Sequence, residues 1–510
     1  MATMSYRVNP STVSGKRELY LGLLVAFLAL GTCLQAPGQT SQTPGREPGK
    51  APSARVAKVR GTALEKVCAP CIRAHMEFLA SDALQGRGSA SPDELIAATY
   101  IASQLRQYGV VPAGDDGGYI QRIALVENRF AGPPQLKIAA SAAGSELTWT
   151  HGNEFLGAQI GESDVSGPLQ KMAADTSASP PQVERGAFVL LETKNKESLA
   201  RQRARDLIKA GASAVLVAET PSVREHWKEF ADRLLSGSTA PGGDHAASET
   251  STLLVLSQDA FRTLNDMPAG MQLHLTAPRE KPKTTYTWNA VGMIRGTDPI
   301  LRKAAVLLSA HLDHLGVGEA VNGDSIYNGA DDDASGVTAV LELARVLGSV
   351  KHPKRTVIFA LFGSEESGGF GSMGFREHPP VPLADIAANL EFEMIGRSDT
   401  AVADHTLWLT GWERSNLGPE LASHGARLVR DPHPDQNFFA RSDNYVLAKK
   451  GVVAQTISSY GLHKQYHQPN DDLAHIDFGH MEDAIGSLLA PVEWLVNSGF
   501  RPQWVTGGKP

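Results

Sequence analysis

The sequence predicts an α/β protein whose main domain is a doubly wound, mostly parallel mixed sheet with helices on both faces, interrupted by an inserted β-rich α+β domain. Three observations carry this. From Thr284 onward, apolar runs of buried-strand length at 304–310, 356–362, 387–392 and 452–457 alternate with helical patterns, as in βαβ units. Residues able to hold a divalent metal cluster just after each run, and an open α/β sheet places its ligands outside the carboxyl ends of its strands. Between 126 and 283 the texture changes to short strands, Gly/Ser/Pro-rich connections and one long helical stretch, which predicts the insert.

A chain of 510 residues with 42% hydrophobic residues and 6% aromatics can bury a sizeable core in more than one domain. A net charge of -7 and a pI near 6.2, without a Lys/Arg cluster, argue against a nucleic-acid partner. At the start, Lys16-Arg17 precede a largely apolar stretch at 19–34, short for a membrane span and followed by small residues, proline and glycine. That is the layout of a secretory signal peptide. Residues 1–36 are therefore expected to leave on export to the periplasm or medium, with no stable membrane span afterwards. A lipoprotein cleaved at Leu30-Gly31-Thr32-Cys33 is disfavoured by Thr32, and an uncleaved anchor is the less favoured layout. Residues 37–60 lack hydrophobic periodicity and read as a disordered tether.

Folding is expected to begin in the segment 61–125. The Cys68-Ala69-Pro70-Cys71 spacing could be a redox dithiol, half of a zinc site or a local disulfide, and for an exported chain a small structural disulfide is preferred. A helix is expected over 72–80. Ser91-Pro92-Asp93-Glu94 then supplies an N-cap, a proline at the first helical position and a capping-box glutamate. The helix that follows, to about Tyr108, carries Leu95, Ala98, Ile101 and Leu105 on one face. Within 126–283, residues 185–191 and 211–217 read as strands around a helix at 196–210, and Asp244-His245 sits in a Gly/Ser loop without a ligand-like cluster. In the last region, 284–510, a helix over 334–347 follows the first long strand.

The chemistry lies at the ends of those strands. The run 304–310 delivers His311 and Asp313, and Asp331-Asp332-Asp333 follow before Ser335-Gly336. The next strand ends in Gly363-Ser364-Glu365-Glu366, the third runs into Glu393-Met394-Ile395-Gly396, and the fourth is followed by Tyr466-His467-Gln468-Pro469-Asn470-Asp471. Imidazoles and carboxylates suit a hard or borderline divalent ion. Two such ions need a bridging carboxylate and terminal ligands on either side. A further carboxylate must remain free to take a proton from water, and Glu365 and Glu366 can divide the ligand and base tasks.

The motifs HLDH, GADDDASG, GSEESGG, NLEFEMIGR and YHQPNDD, in this order and spacing, resemble the co-catalytic di-zinc exopeptidase family of secreted bacterial aminopeptidases and glutamate carboxypeptidase type II. The resemblance is strong over 284–475 and weaker in MEFLASDALQGRGS and AATYIASQL near the start. The region between resembles the protease-associated insert found in many members. The fold it implies is of the zinc-exopeptidase type. Its implied cofactor is a pair of Zn2+ ions, with His311, Asp332 and Glu393 on one and Asp332, Glu366 and His467 on the other. Asp332 is the bridge by its place four residues before Gly336, and its bond to Asp333 is cis in many relatives. Glu365 is the implied general base and Asp313 the partner that fixes the tautomer of His311. Tyr466 either stabilises an oxyanion, as in some relatives, or only packs. Several relatives have Asp where Glu393 stands, and Arg441-Ser442-Asp443 matches a recurring pattern without an assigned role.

An exported zinc aminopeptidase acting on peptides with a free N-terminus is the activity this resemblance implies. Within the family the alternatives are a carboxypeptidase or dipeptidase, for which Arg397, Arg414 and Arg441 are the candidates to grip a substrate carboxylate, and a glutaminyl cyclase using one zinc. A non-catalytic receptor-like binding protein would have lost ligands, whereas here the whole set is present.

Overall fold

In the computed structural model, which describes residues 66–139, 146–173, 182–192, 197–242, 252–349 and 353–510, the four apolar runs form adjacent parallel strands. They are β1 (Ala305–His311), β2 (Val357–Phe362), β3 (Ile386–Phe392) and, after the shorter β4 (Leu407–Leu409) and β5 (Leu428–Arg430), β6 (Val453–Ser458). Every residue of β1, β2, β3 and β6 is buried, which is why they read as continuous apolar runs without alternation. The order is β5-β4-β6-β3-β1-β2. Strand β1 is parallel to both β2 and β3, and β3 to β6, whereas residues 290–294 add to β2 antiparallel and β4 pairs antiparallel with β6. The sheet is mixed, with a parallel centre. Since β2 and β3 lie on opposite sides of β1, the chain reverses direction of growth there, and the crevice outside that point is where such sheets bind ligands.

The expected signal peptide (1–36), the tether (37–60) and the Asp244-His245 loop lie outside the described residues. Among the described residues no helix is long and apolar enough to cross a membrane. The chain divides into two compact units, one comprising the described part of Met1–Ile120 with Ala290–Ser372 and Pro379–Pro510, the other Gln121–Asn289 with Met373–His378.

In the first unit, helix α1 (Ala69–Leu79) starts three residues ahead of its predicted position, because Cys68 caps it with Pro70 in its first turn. Cys68 and Cys71 form the expected disulfide. Helix α2 (Pro92–Gln107) has Ser91 as N-cap, its side chain accepting from Glu94 N. The capping box itself is not formed: the Ser91 N–H donates to Gly88 O at 3.1 Å, and the Glu94 carboxylate points elsewhere. Glu94 is buried and Leu95 only half so, a reversal of the expected pattern. Helix α3 (Gly336–Ser349) packs against α1, α2, β1 and α4 (Phe478–Asn497). It begins two residues later than predicted, since Ala330–Ser335 form a single wide turn first.

The second unit holds an eight-stranded mixed sheet whose parallel centre is Asp164–Ala173, Phe188–Glu192, Ala214–Ala218 and Leu253–Leu256. Along Phe188–Glu192 the side chains alternate between two cores. Phe188 and Leu190 pack with Phe155, Leu216 and Leu254, and Val189 and Leu191 pack with Leu207 of helix Glu197–Lys209.

Candidate metal centre

The carboxyl ends of β1, β2 and β3 and the loop after β6 bring imidazoles and carboxylates together. His311 is the last residue of β1, and its Nε2 lies 3.0 Å from Asp332 Oδ1. The other Asp332 oxygen, Oδ2, is 3.3 Å from His467 Nε2 and 3.9 Å from His314 Nδ1. Asp332 thus presents one oxygen to each side. Two groups of metal-ligating atoms form around it, His311, Asp332 and Glu393 on one side and His314, Asp332 and Glu366 on the other, each within 4.8 Å of one another. His467 Nε2 also approaches Glu366 Oε2, at 3.2 Å.

The three consecutive aspartates divide by neighbourhood. Asp331 Oδ1 accepts Gly396 N at 2.7 Å, and its Oδ2 lies 2.9 Å from His463 Nε2. Asp333 accepts Gly336 N at 2.9 Å, Met394 N at 3.0 Å and His311 N at 3.3 Å, lacing the ends of β1 and β3 to the turn between them. Asp332, joined to Asp333 by a cis bond, turns its carboxylate to His311 and His467. Glycine is required at Gly336, where a Cβ would stand 2.3 Å from Phe392 O, and at Gly329, where it would stand 2.2 Å from Asp332 O with φ at +59°.

Electrostatics separate the acids further. Burial works against the Asp332 carboxylate, but His311 and His467 hold it well below the usual range. For Glu366 burial is likewise outweighed, here by His467 and His314, and its pKa falls to about 2. Glu365, the next residue, goes the other way: burial first, then the neighbouring Asp443, Glu366 and Glu393 carboxylates, raise it well above the ordinary value. Adjacent glutamates with opposite shifts are suited to different tasks, one as ligand and one as proton acceptor. The donor set fits a divalent cation. Buried Glu366 Oε1 makes no aligned hydrogen bond although His314 Nδ1 stands 2.8 Å away, as expected of an oxygen kept for an ion.

Residues 289–490, which contain all of these groups, match the family model described as "Peptidase family M28". This segment is similar to peptidase family M28. The curated relatives include a Mycobacterium tuberculosis protein named "Probable lipoprotein aminopeptidase LpqL", 30% identical over 45% of this chain and 42% of its own length. Another is a "Vacuolar membrane protease" of Candida tropicalis, 37% identical over 41% of this chain and 22% of its own length. The chain spans less than half the length of these relatives. Among solved structures, an aminopeptidase from Aneurinibacillus sp. strain AM-1 aligns over 86% of this chain and 96% of its own, with 18% identity and a TM-score of 0.49.

Within this segment Asp313 lies beside His311, whose Nδ1 is 3.2 Å from the Asp313 carbonyl and 3.8 Å from the nearer carboxylate oxygen. That oxygen also accepts the Glu365 N–H at 3.0 Å. Of the arginines, Arg397 is bound to Asp471 at 2.6 Å and to Gln465 at 3.1 Å, and Asp471 in turn accepts the N–H groups of Asp331 and Asp332. Arg414 lies over the Phe439 ring and donates to Gly508 O. Both are committed to the scaffold, whereas Arg441 is exposed, 5.1 Å over the Phe438 ring and 3.5 Å from the Tyr466 hydroxyl. Tyr466 stacks on His467 with centroids 3.8 Å apart, and burial pushes its hydroxyl pKa up. Buried Asp443 lies beside Gly369, where a Cβ would stand 3.2 Å from its Oδ1, and burial raises its pKa to about 7. His314, the second histidine of the HLDH motif, also reaches the centre, and its signal in the sequence is its place three residues after His311 at the same strand end.

Proposed function

We propose that the chain is an exported zinc-dependent aminopeptidase holding two Zn2+ ions. The observation that carries this reading is Asp332, whose two oxygens face two separate imidazole and carboxylate groups. His311, Asp332 and Glu393 would hold one ion, and Asp332, Glu366 and His467 the other, with His314 beside the second group. Zinc bound there supplies Lewis acidity to a substrate carbonyl and acidifies water. Glu365 takes the proton of the attacking water and returns it to the leaving amine, a role supported by its raised affinity for protons and its fixed backbone. The Tyr466 hydroxyl donates to the oxyanion that develops on the substrate, and its stacking on His467 holds it at the rim.

Aminopeptidase action is favoured over carboxypeptidase action because Arg397 and Arg414 are held by the protein itself, which leaves Arg441 as the single one of the three candidates at the site's edge. Residues 126–283 are read as a protease-associated insert on the strength of the resemblance. Export rests on the Lys16-Arg17 and 19–34 pattern, and the lipoprotein named among the relatives is in keeping with it. The deciding experiment compares hydrolysis of free-amine peptides with that of N-blocked peptides carrying a free carboxylate, with and without a chelator. Chelator-sensitive cleavage of the first set alone is expected, and cleavage confined to the second set would overturn the reading.

A further inference from the structure

The residue before the proposed base has an unusual backbone. Ser364 is fully buried and has φ at +52°, a left-handed conformation that side chains other than glycine seldom adopt. Its N–H and hydroxyl both reach one carboxylate oxygen, Glu94 Oε1, at 2.8 and 3.1 Å, across 270 residues of sequence. On the other side, the Glu365 N–H is held by Asp313. Two buried acids, from α2 and from the end of β1, therefore grip consecutive peptide groups at the turn that carries Glu365.

The segment leading into α2 braces the same region. The buried Arg87 guanidinium donates to the carbonyls of Leu312, Asn328 and Gly329, at 2.9, 2.7 and 3.0 Å, and to that of Leu79. Ser89 Oγ donates to Asp313 Oδ2 at 2.5 Å. Helix capping does not account for Glu94, because the Ser91 N–H is satisfied by Gly88 O. Surface turns of α2 could carry a glutamate without cost, yet this one is buried, which is unfavourable unless its hydrogen bonds are made.

We propose that Glu94 is a positioning residue for Glu365, setting the Ser364 turn so that the base carboxylate is held at its working position. This rests on the reading of Glu365 as the base. A side chain that cannot accept leaves the Ser364 N–H and hydroxyl buried without this acceptor, and the turn relaxes to re-pair them. Displacements of about an ångström at a reacting group can lower turnover about 100-fold.

The test uses the full-length chain with bound zinc and an amino-acid p-nitroanilide as substrate. Glu94→Ala is expected to lower kcat about 10- to 100-fold, with KM within about threefold, zinc stoichiometry unchanged and a lowered thermal midpoint, since the buried Ser364 donors lose their acceptor. Glu94→Gln, which keeps an acceptor oxygen, is expected to restore kcat to within about threefold, and Glu94→Asp, whose carboxylate is withdrawn by one methylene, to fall between. Unchanged kcat in Glu94→Ala, or a loss matched by loss of zinc, overturns the proposal. Should Glu94→Ala not fold, the Gln and Asp variants decide it: equal turnover in the two, or a Gln variant slower than the Asp variant, overturns it. Glu365→Gln serves as the separate control. If it keeps its activity, the assignment of the base fails, whereas a dead Glu365→Gln beside a fully active Glu94→Ala defeats only the role of Glu94.

Discussion

Asp313 Oδ1 accepts the backbone N–H of Glu365 at 3.0 Å, tying the loop after β1 to the first residues beyond β2. The second oxygen of the same carboxylate accepts the Ser89 hydroxyl. Both lone-pair faces are thus occupied by the protein. Replacing Asp313 with Ala leaves a buried N–H unpaired, at a cost of about 1–3 kcal/mol in stability. Asp313→Ala is expected to unfold earlier in thermal scans and to lose about 100-fold in kcat, whereas Asp313→Asn, which can turn its amide oxygen to the Glu365 N–H, retains most of its stability. Equal midpoints for the parent and the Ala variant would contradict this.

His314 and His467 both face the Glu366 side of Asp332, with ring centroids 5.7 Å apart. Loss of a direct ligand lowers affinity more than loss of a group behind it, which typically costs 10- to 100-fold. His467→Ala is expected to bring the purified protein to about half its zinc content, while His314→Ala keeps full occupancy at high zinc and releases it sooner in a chelator titration. A His467→Ala protein with full zinc would remove that residue from the ligand set.

The strand-borne half of this centre is legible in the sequence because parallel buried strands announce themselves as apolar runs and their carboxyl ends share one edge. His311, Glu393 and the Glu365-Glu366 pair reach that edge by the register, and the resemblance implies which glutamate is the ligand. What is not legible depends on contacts between distant segments. Glu94 stands where a capping box would place a glutamate, and only the docking of α2 onto the sheet reveals that it serves Ser364. Arg397 carries the charge expected of a substrate clamp, and only the fold puts Asp471 against it. Arg87 lies in a polar GRGS stretch that gives no sign of burial, yet it is fully enclosed and donates to backbone carbonyls on both sides of the centre.

His75 provides a test of pH dependence away from the metals. It is enclosed between α1 and α2, with Nδ1 2.8 Å from the Tyr100 hydroxyl and Nε2 3.0 Å from the Tyr108 hydroxyl. Burial lowers its pKa from 6.5 to about 4, with Glu342 opposing and Arg345 assisting. The unfolded chain therefore binds more protons between these values, so this residue's contribution to stability is fully present above the unfolded pKa and is lost as pH falls from 6.5 towards 4. Over that window the parent is expected to lose up to about 3 kcal/mol more than His75→Gln, measured by urea unfolding at each pH. Parallel curves for the two proteins would show that His75 titrates normally.

Glu365 and Glu366 are the sharpest contrast in the centre, since neighbouring carboxylates of the same chemistry are pushed in opposite directions by their surroundings. A Gln at 365 keeps the shape and the backbone bond to Asp313 but cannot accept a proton from water. General acid–base groups contribute about 100- to 10,000-fold, so Glu365→Gln is expected to lower kcat within that range with zinc content unchanged. Glu366→Gln removes a ligand rather than a base and is expected to lower zinc content together with kcat, with partial recovery of both in excess zinc. Measuring metal stoichiometry and turnover on the same two preparations separates the tasks. A Glu365→Gln protein that loses metal, or a Glu366→Gln protein that loses only turnover, would reverse the assignment of ligand and base.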